Sequence, residues 1–190
     1  MKKVVLLIVM FTMALGGHAE GVGSPDSSEY LIKAGFIYNF AKLVEWPTTA
    51  FAQPDSPIVI GILWDDPFGA TLDRTVADKK IEGRAFVIKR LKWTDLKNSK
   101  DCNILFVSSS EKDHIDSVVD AAKFLPILTI GDTPGFAARG GIMNFVVEDN
   151  KVRFEVNLEA AKLADLTISS RLLTLARIVQ PVRADGRKPE

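Results

Sequence analysis

IVIGIL, residues 58–63, follows Pro57 and contains five branched aliphatic residues, one glycine and no polar alternation. A strand with one wet face alternates apolar and polar residues. A run that does not alternate is covered on both faces, as in a parallel sheet between helices. CNILFV (102–107) repeats the pattern. Arg84–Leu91 alternates as a strand, and Pro126–Ile130 reads as a further one. Between them, Asp65-Asp66-Pro67-Phe68-Gly69 leads into a helical stretch ending near Val76. Ser108-Ser109-Ser110-Glu111 starts another, running to about Lys123, because serine hydroxyls accept the orphan N–H groups of a first turn. The order strand, helix, strand, strand, helix, strand predicts an α/β single-domain layered sandwich. Its central, mostly parallel sheet is flanked by helices.

Upstream, Glu29–Glu45 lacks proline and spaces its apolar residues by three and four (Leu31, Ala34, Tyr38, Ala41; Ile32, Phe36, Phe40, Leu43), which predicts a helix with a wide apolar face. Ser27 or Ser28 is its expected cap, and Trp46-Pro47 its stop. Downstream, Ile142–Val147 and Lys151–Val156 flank Glu148-Asp149-Asn150, a hairpin signal. Leu158–Ala164 and Ser169–Val179 are the expected closing helices. The predicted organisation is a signal peptide at 1–19, a flexible leader at 20–28, one domain at 29–180 and a tail at 181–190.

Residues 1–19 have the layout of an export signal: Lys2 and Lys3, then the apolar run Val4–Leu15, then Gly17-His18-Ala19. A periplasmic destination is expected. The chain has 24 basic and 24 acidic residues; removing Lys2 and Lys3 leaves 22 against 24, or −2. That charge gives no footprint for nucleic acid. The only cysteine, Cys102, opens an apolar run and reads as a buried thiol.

GDTPGFAARGGIMNF (131–145) decides between a nucleotide site and a turn. Gly135 and Gly140 have P-loop spacing, but Gly141-Ile142 stands where Lys and Ser/Thr belong. The stretch also leads into a strand rather than a helix. It reads as a turn, with glycines for backbone angles that a Cβ disfavours. Ser110 and His114 are four apart but lack a nucleophile elbow around the serine. A capping serine and a solvated histidine are the simpler reading. Asp65-Asp66 reads as a turn and cap. No metal, cofactor or catalytic residue is expected.

Five blocks together carry a resemblance: YLIKAGFIYNFAKLVEWP (30–47), IGILWDDPFG (60–69), CNILFVSSSE (102–111), LTIGDTPGFAARGGIMNF (128–145) and VRFEVNLEAAKLADLTISSRLLTLARIV (152–179). In this order the chain resembles the YfiR family of periplasmic regulators. The resemblance implies a non-catalytic repressor, usually dimeric. It would bind the periplasmic sensor domain of an inner-membrane diguanylate cyclase and so control cyclic di-GMP and biofilm. It also implies an outer-membrane lipoprotein that sequesters the repressor. The family's paired cysteines are missing here, since Cys102 is alone. Within the last two blocks, Arg139, Arg153, Glu155, Asn157 and Arg171 form a candidate site for a small anion, because converging arginines bind carboxylate or phosphate in bidentate fashion. Trp46 and Phe68, each beside a turn, are candidate anchors for a partner. A stand-alone carrier of a small anionic ligand is the alternative function.

Overall fold

The computed structural model describes residues 25–181. The expected signal peptide, most of the leader (20–24) and the tail beyond Pro181 lie outside the described residues.

Helix α1, Pro25–Leu43, starts earlier than expected. Proline suits a first helical position because its missing N–H has no intrahelical partner there. Ser27 and Ser28 therefore fall within the helix rather than before it. The helix buries Ala34, Ile37, Phe40 and Ala41. Phe40 meets Phe145 and Phe154 with ring centroids 5.7 and 4.9 Å away. β1, Val44–Glu45, then pairs antiparallel with the later β9, Thr167–Ile168.

The main sheet uses β2 (Ile58–Leu63), β3 (Lys80–Ile81), β4 (Arg84–Leu91), β5 (Ile104–Val107), β6 (Leu128–Gly131), β7 (Met143–Glu148), β8 (Lys151–Val156) and β10 (Arg177–Ile178). Their order is β10-β8-β7-β6-β5-β2-β4-β3. The five strands from β4 to β7 run parallel. β8 and β3 are antiparallel to β7 and β4. Between strands lie α2 (Ala70–Val76), α3 (Ile115–Ala122), α4 (Leu158–Leu163) and α5 (Ser170–Leu173).

The run 58–63 behaves as its composition requires. Ile58, Ile60 and Ile62 join a core with α1 and α2, while Leu63 joins a second core with α3. Phe136 and Cys102 belong to that second core. The hairpin turn is also as expected: Asp149 and Asn150 have φ of 50° and 58°. These left-handed values match the twist of a two-residue hairpin and suit Asp and Asn.

One element corrects the sequence reading. The expected helix Ser169–Val179 stops at Leu173, and Arg177–Ile178 instead adds an edge strand parallel to β8. Ser169 caps the short helix by accepting from Arg171 N. Beyond the turn, Val179 N donates to Val156 O at 2.9 Å, and Arg177 reaches Glu148 at 2.6 Å and Glu155 at 2.8 Å. Sheet pairing and two carboxylates outcompete the helical tendency of this leucine-rich stretch. A second refinement is the 3₁₀ segment Ser109–His114, which precedes α3 and is capped by Ser108 accepting from Ser110 N.

Cys102 is 3 % exposed, and burial pushes its thiol up to about 11 from 9.0. Below pH 9 the native thiol contributes its full stability; as pH rises from 9.0 towards about 11, the unfolded thiol ionises first and that contribution is lost. At pH 8 the two-unit difference leaves about a hundredfold less thiolate in the native state. Ellman's reagent is therefore expected to label native protein far more slowly than urea-unfolded protein. Equal rates would contradict this burial.

Candidate functional site

In open α/β sheets the usual crevice lies outside the carboxyl ends of the strands, where successive strands depart in opposite directions. Here that point falls between β2 and β5, because β4 flanks β2 on one side and β5 on the other. Side chains fill the surrounding loops. Phe68 is 3 % exposed and meets Phe106 and Tyr30 edge-on, at 4.7 and 5.3 Å between centroids. On β2's far end, Trp64 stacks on Trp93 at 5.3 Å, and His114 lies 4.8 Å from Trp93. Asp66 Oδ1 accepts from the N–H groups of Phe68 and Gly69, and Oδ2 accepts from Arg90 Nε at 2.7 Å. Asp66 thus closes the turn that leads into α2.

The glycine-rich stretch explains itself by packing. Gly135 and Gly140 have φ of 81° and 107°, which favour glycine. Phe136 is fully buried, with its ring lying against the backbone at both Gly131 and Gly141. A side chain at either glycine would occupy the space of that ring. Arg139 N donates to Gly135 O at 2.9 Å, which folds the loop compactly and carries the Arg139 side chain to the surface beside α3.

At the amino ends of the parallel strands this loop borders an open cavity of about 300 Å³. Its walls come from α3, the glycine loop and α4. Asn157 sits in its floor, 1 % exposed. The Asn157 amide donates to Ala137 O at 2.8 Å, and its Oδ1 caps α4 by accepting from Ala160 N at 3.0 Å. Arg139 stands at the rim. Its Nε donates to Asp116 Oδ1 at 2.9 Å, and this pairing raises the guanidinium pKa while lowering that of Asp116.

Only part of the expected anion patch assembles. Arg139 and Asn157 line the cavity, whereas Arg153, Glu155 and Arg171 are not among its lining residues. Arg153 points along β8 to Glu148, 3.6 Å away. It lies four positions before Asn157, roughly 13 Å along an extended chain. Glu155 is held by Arg177 and accepts from Asn144 Nδ2 at 3.1 Å. Arg171 lies on α5, outside both groups. Strand period places Arg153 and Glu155 on one face, but it says nothing about distance along the strand, and Arg177, hidden in a stretch read as helix, was missed.

The partner anchors divide as well. Phe68 is core and cannot present its ring to another protein without unfolding its turn. Trp46 is half-buried and donates its indole N–H to Asn103 O at 3.2 Å. Trp93, at the start of a 3₁₀ segment, is 37 % exposed, and sequence reading passed over it because no strand or helix pattern framed it. Among the described residues no group of three or more His, Cys, Asp or Glu is placed to hold a metal ion. No helix among them is long and apolar enough to cross a membrane.

The fold and cavity define a mixed α/β domain with a mostly parallel sheet. Residues 30–177 match the YfiR/HmsC-like family model, and the chain belongs to that family of regulators associated with diguanylate cyclase signalling. Among curated proteins no match is found. Two solved structures share the fold. A conserved domain protein from Vibrio cholerae O1 biovar El Tor is 12 % identical at a TM-score of 0.55, with 78 % of this chain and 59 % of that one covered. An ABC domain in complex with L-Trp from Streptococcus pneumoniae is 11 % identical at 0.54, with 77 % and 60 % covered. This chain thus spans about three fifths of either neighbour.

Proposed function

We infer that this chain is a periplasmic regulator, exported by a cleavable signal, that binds the periplasmic sensor domain of an inner-membrane diguanylate cyclase and represses it. The observation that carries this reading is the family match across residues 30–177, which spans α1 through the start of β10. The aromatic surface at Trp64 and Trp93 and the half-exposed Trp46 supply the kind of side chains that anchor interfaces. A homodimer is the working form, and an outer-membrane lipoprotein competes with the cyclase for it.

The test uses the full chain in its own cell. Deleting the gene is expected to raise cyclic di-GMP and surface attachment. Tagged protein is expected to retain the cyclase through detergent extraction. Unchanged cyclic di-GMP on deletion, with no membrane protein retained, overturns the reading. The second reading, a carrier of a small anion, draws support from the cavity at Arg139 and Asn157.

A further inference from the structure

We propose that two copies of this chain meet through the outer row of α1, the two helices crossing at Gly35. The inference names the surface of the homodimer in the proposed function and rests on that part of it.

α1 turns Ala34, Ile37, Phe40 and Ala41 into the core. Its other side carries Leu31, Ile32, Gly35, Asn39 and Lys42, which recur at spacings of three and four and so form one row along the helix. Leu31 is 57 % exposed and Ile32 is 50 % exposed. Gly35 lies one turn beyond both, in the middle of the row.

Among the described residues nothing asks for that glycine. An added Cβ would meet no atom within 4 Å, and Gly35 is not among the residues with a left-handed φ. Asn39 Nδ2 donates to Gly35 O at 3.0 Å, but any residue offers that carbonyl. Inside a helix glycine is a poor choice, where alanine is the best. Two aliphatic side chains left in water weaken the isolated chain further. Both features become favourable when a second helix covers them. With no side chain at the crossing, two helix axes reach the short end of the usual range of about 8–10 Å. Leu31 and Ile32 then close over the contact and leave water.

The occupant that fits is a second copy. In a two-fold dimer one patch faces itself, and a residue on the axis meets its own equivalent. A recess at Gly35 flanked by projecting aliphatics is self-complementary under that operation. Lys42, at one end, is the single charged residue of the row, so two apposed copies repel each other little. A strongly charged partner has almost nothing in the row to pair with. Beside it, Leu31, Thr71, Arg74 and Thr75 line an open notch between α1 and α2. The notch is placed to take an aliphatic side chain of the second copy.

Sedimentation velocity of the purified chain over a dilution series tests the surface. Gly35→Leu and Ile32→Glu are each expected to raise the dimer dissociation constant about tenfold or more, as central interface residues do. Gly35→Leu is also expected to melt at or above the wild-type temperature when both are diluted to monomers, because leucine favours helix and meets nothing there. That opposite sign separates an interface from a folding role. Phe124→Glu is the control: it alters a residue 71 % exposed just beyond α3, which packs on the second core, and is expected to leave the dimer intact. Unchanged dimer affinity in both α1 variants overturns this surface and leaves the homodimer standing. A wild-type chain that stays monomeric throughout overturns both. Equal weakening by Phe124→Glu, or loss of cyclase retention by Ile32→Glu with the dimer intact, places the contact elsewhere and overturns the proposal. Cyclase repression itself is read separately, by the deletion experiment.

Discussion

Lys33→Met is expected to lower the stability of the fold by about 3–5 kcal/mol, the usual cost of removing one partner from a buried ion pair. Lys33 and Asp132 have side chains 4 % and 2 % exposed, and their charged atoms lie 3.2 Å apart. Glu29, one turn back on α1, holds the same ammonium at 2.6 Å. The Tyr30 hydroxyl donates to Asp132 Oδ2 at 2.7 Å, while Asp132 Oδ1 has no partner. Without the lysine, the buried carboxylate at the end of β6 keeps one neutral donor, the Tyr30 hydroxyl. For a domain of this size the loss lowers the melting temperature by roughly 6–20 °C. Adding Asp132→Asn removes the stranded charge and is expected to recover about half of the loss. Urea unfolding of the wild type, both single variants and the double variant reads this directly. A loss below about 1 kcal/mol for Lys33→Met would show that this network does not fasten α1 to the sheet.

The second large effect concerns Gly141. An alanine Cβ there would overlap the ring of Phe136, which also lies against Gly131. Overpacking a filled core costs about 1–3 kcal/mol and sometimes more, and the upper part of that range is expected for Gly141→Ala. The effect is specific to the ring. In a Phe136→Leu background the same substitution is expected to cost at least 1 kcal/mol less, a coupling typical of touching residues. Additive losses within about 0.5 kcal/mol would mean that the glycine serves the backbone and not the aromatic ring. The glycines that resemble a phosphate loop in sequence therefore make room for a phenylalanine.

Much of the sheet was readable because burial on both faces leaves a compositional trace. IVIGIL needs no partner in sequence to declare itself a covered strand, and β4, β7 and β8 follow from alternation and a turn. The two-residue strands β1, β3, β9 and β10 leave no such trace, because two residues have no period. The stretch Ser169–Val179 shows the conflict: local leucine content favours helix, yet hydrogen bonds to Val156 and ion pairs to Glu148 and Glu155 give a strand. Those partners lie more than twenty residues away, where no local pattern can register them.

The candidate site divides in the same way. Arg139 and Asn157 could be picked out, one beside a glycine turn and one at a strand end. That they share a cavity with Lys123 and Leu163 depends on α3, the glycine loop and α4 all lining one opening. Arg153 and Arg171 carry the same charge, but distance removes them from it. From its amino acids alone, this chain specified its layers, its covered strands, its hairpin and its family resemblance, since each is written in spacing and composition. The buried Lys33–Asp132 pair and the cavity required folding, because each joins residues far apart in sequence whose contact exists only once the sheet has closed.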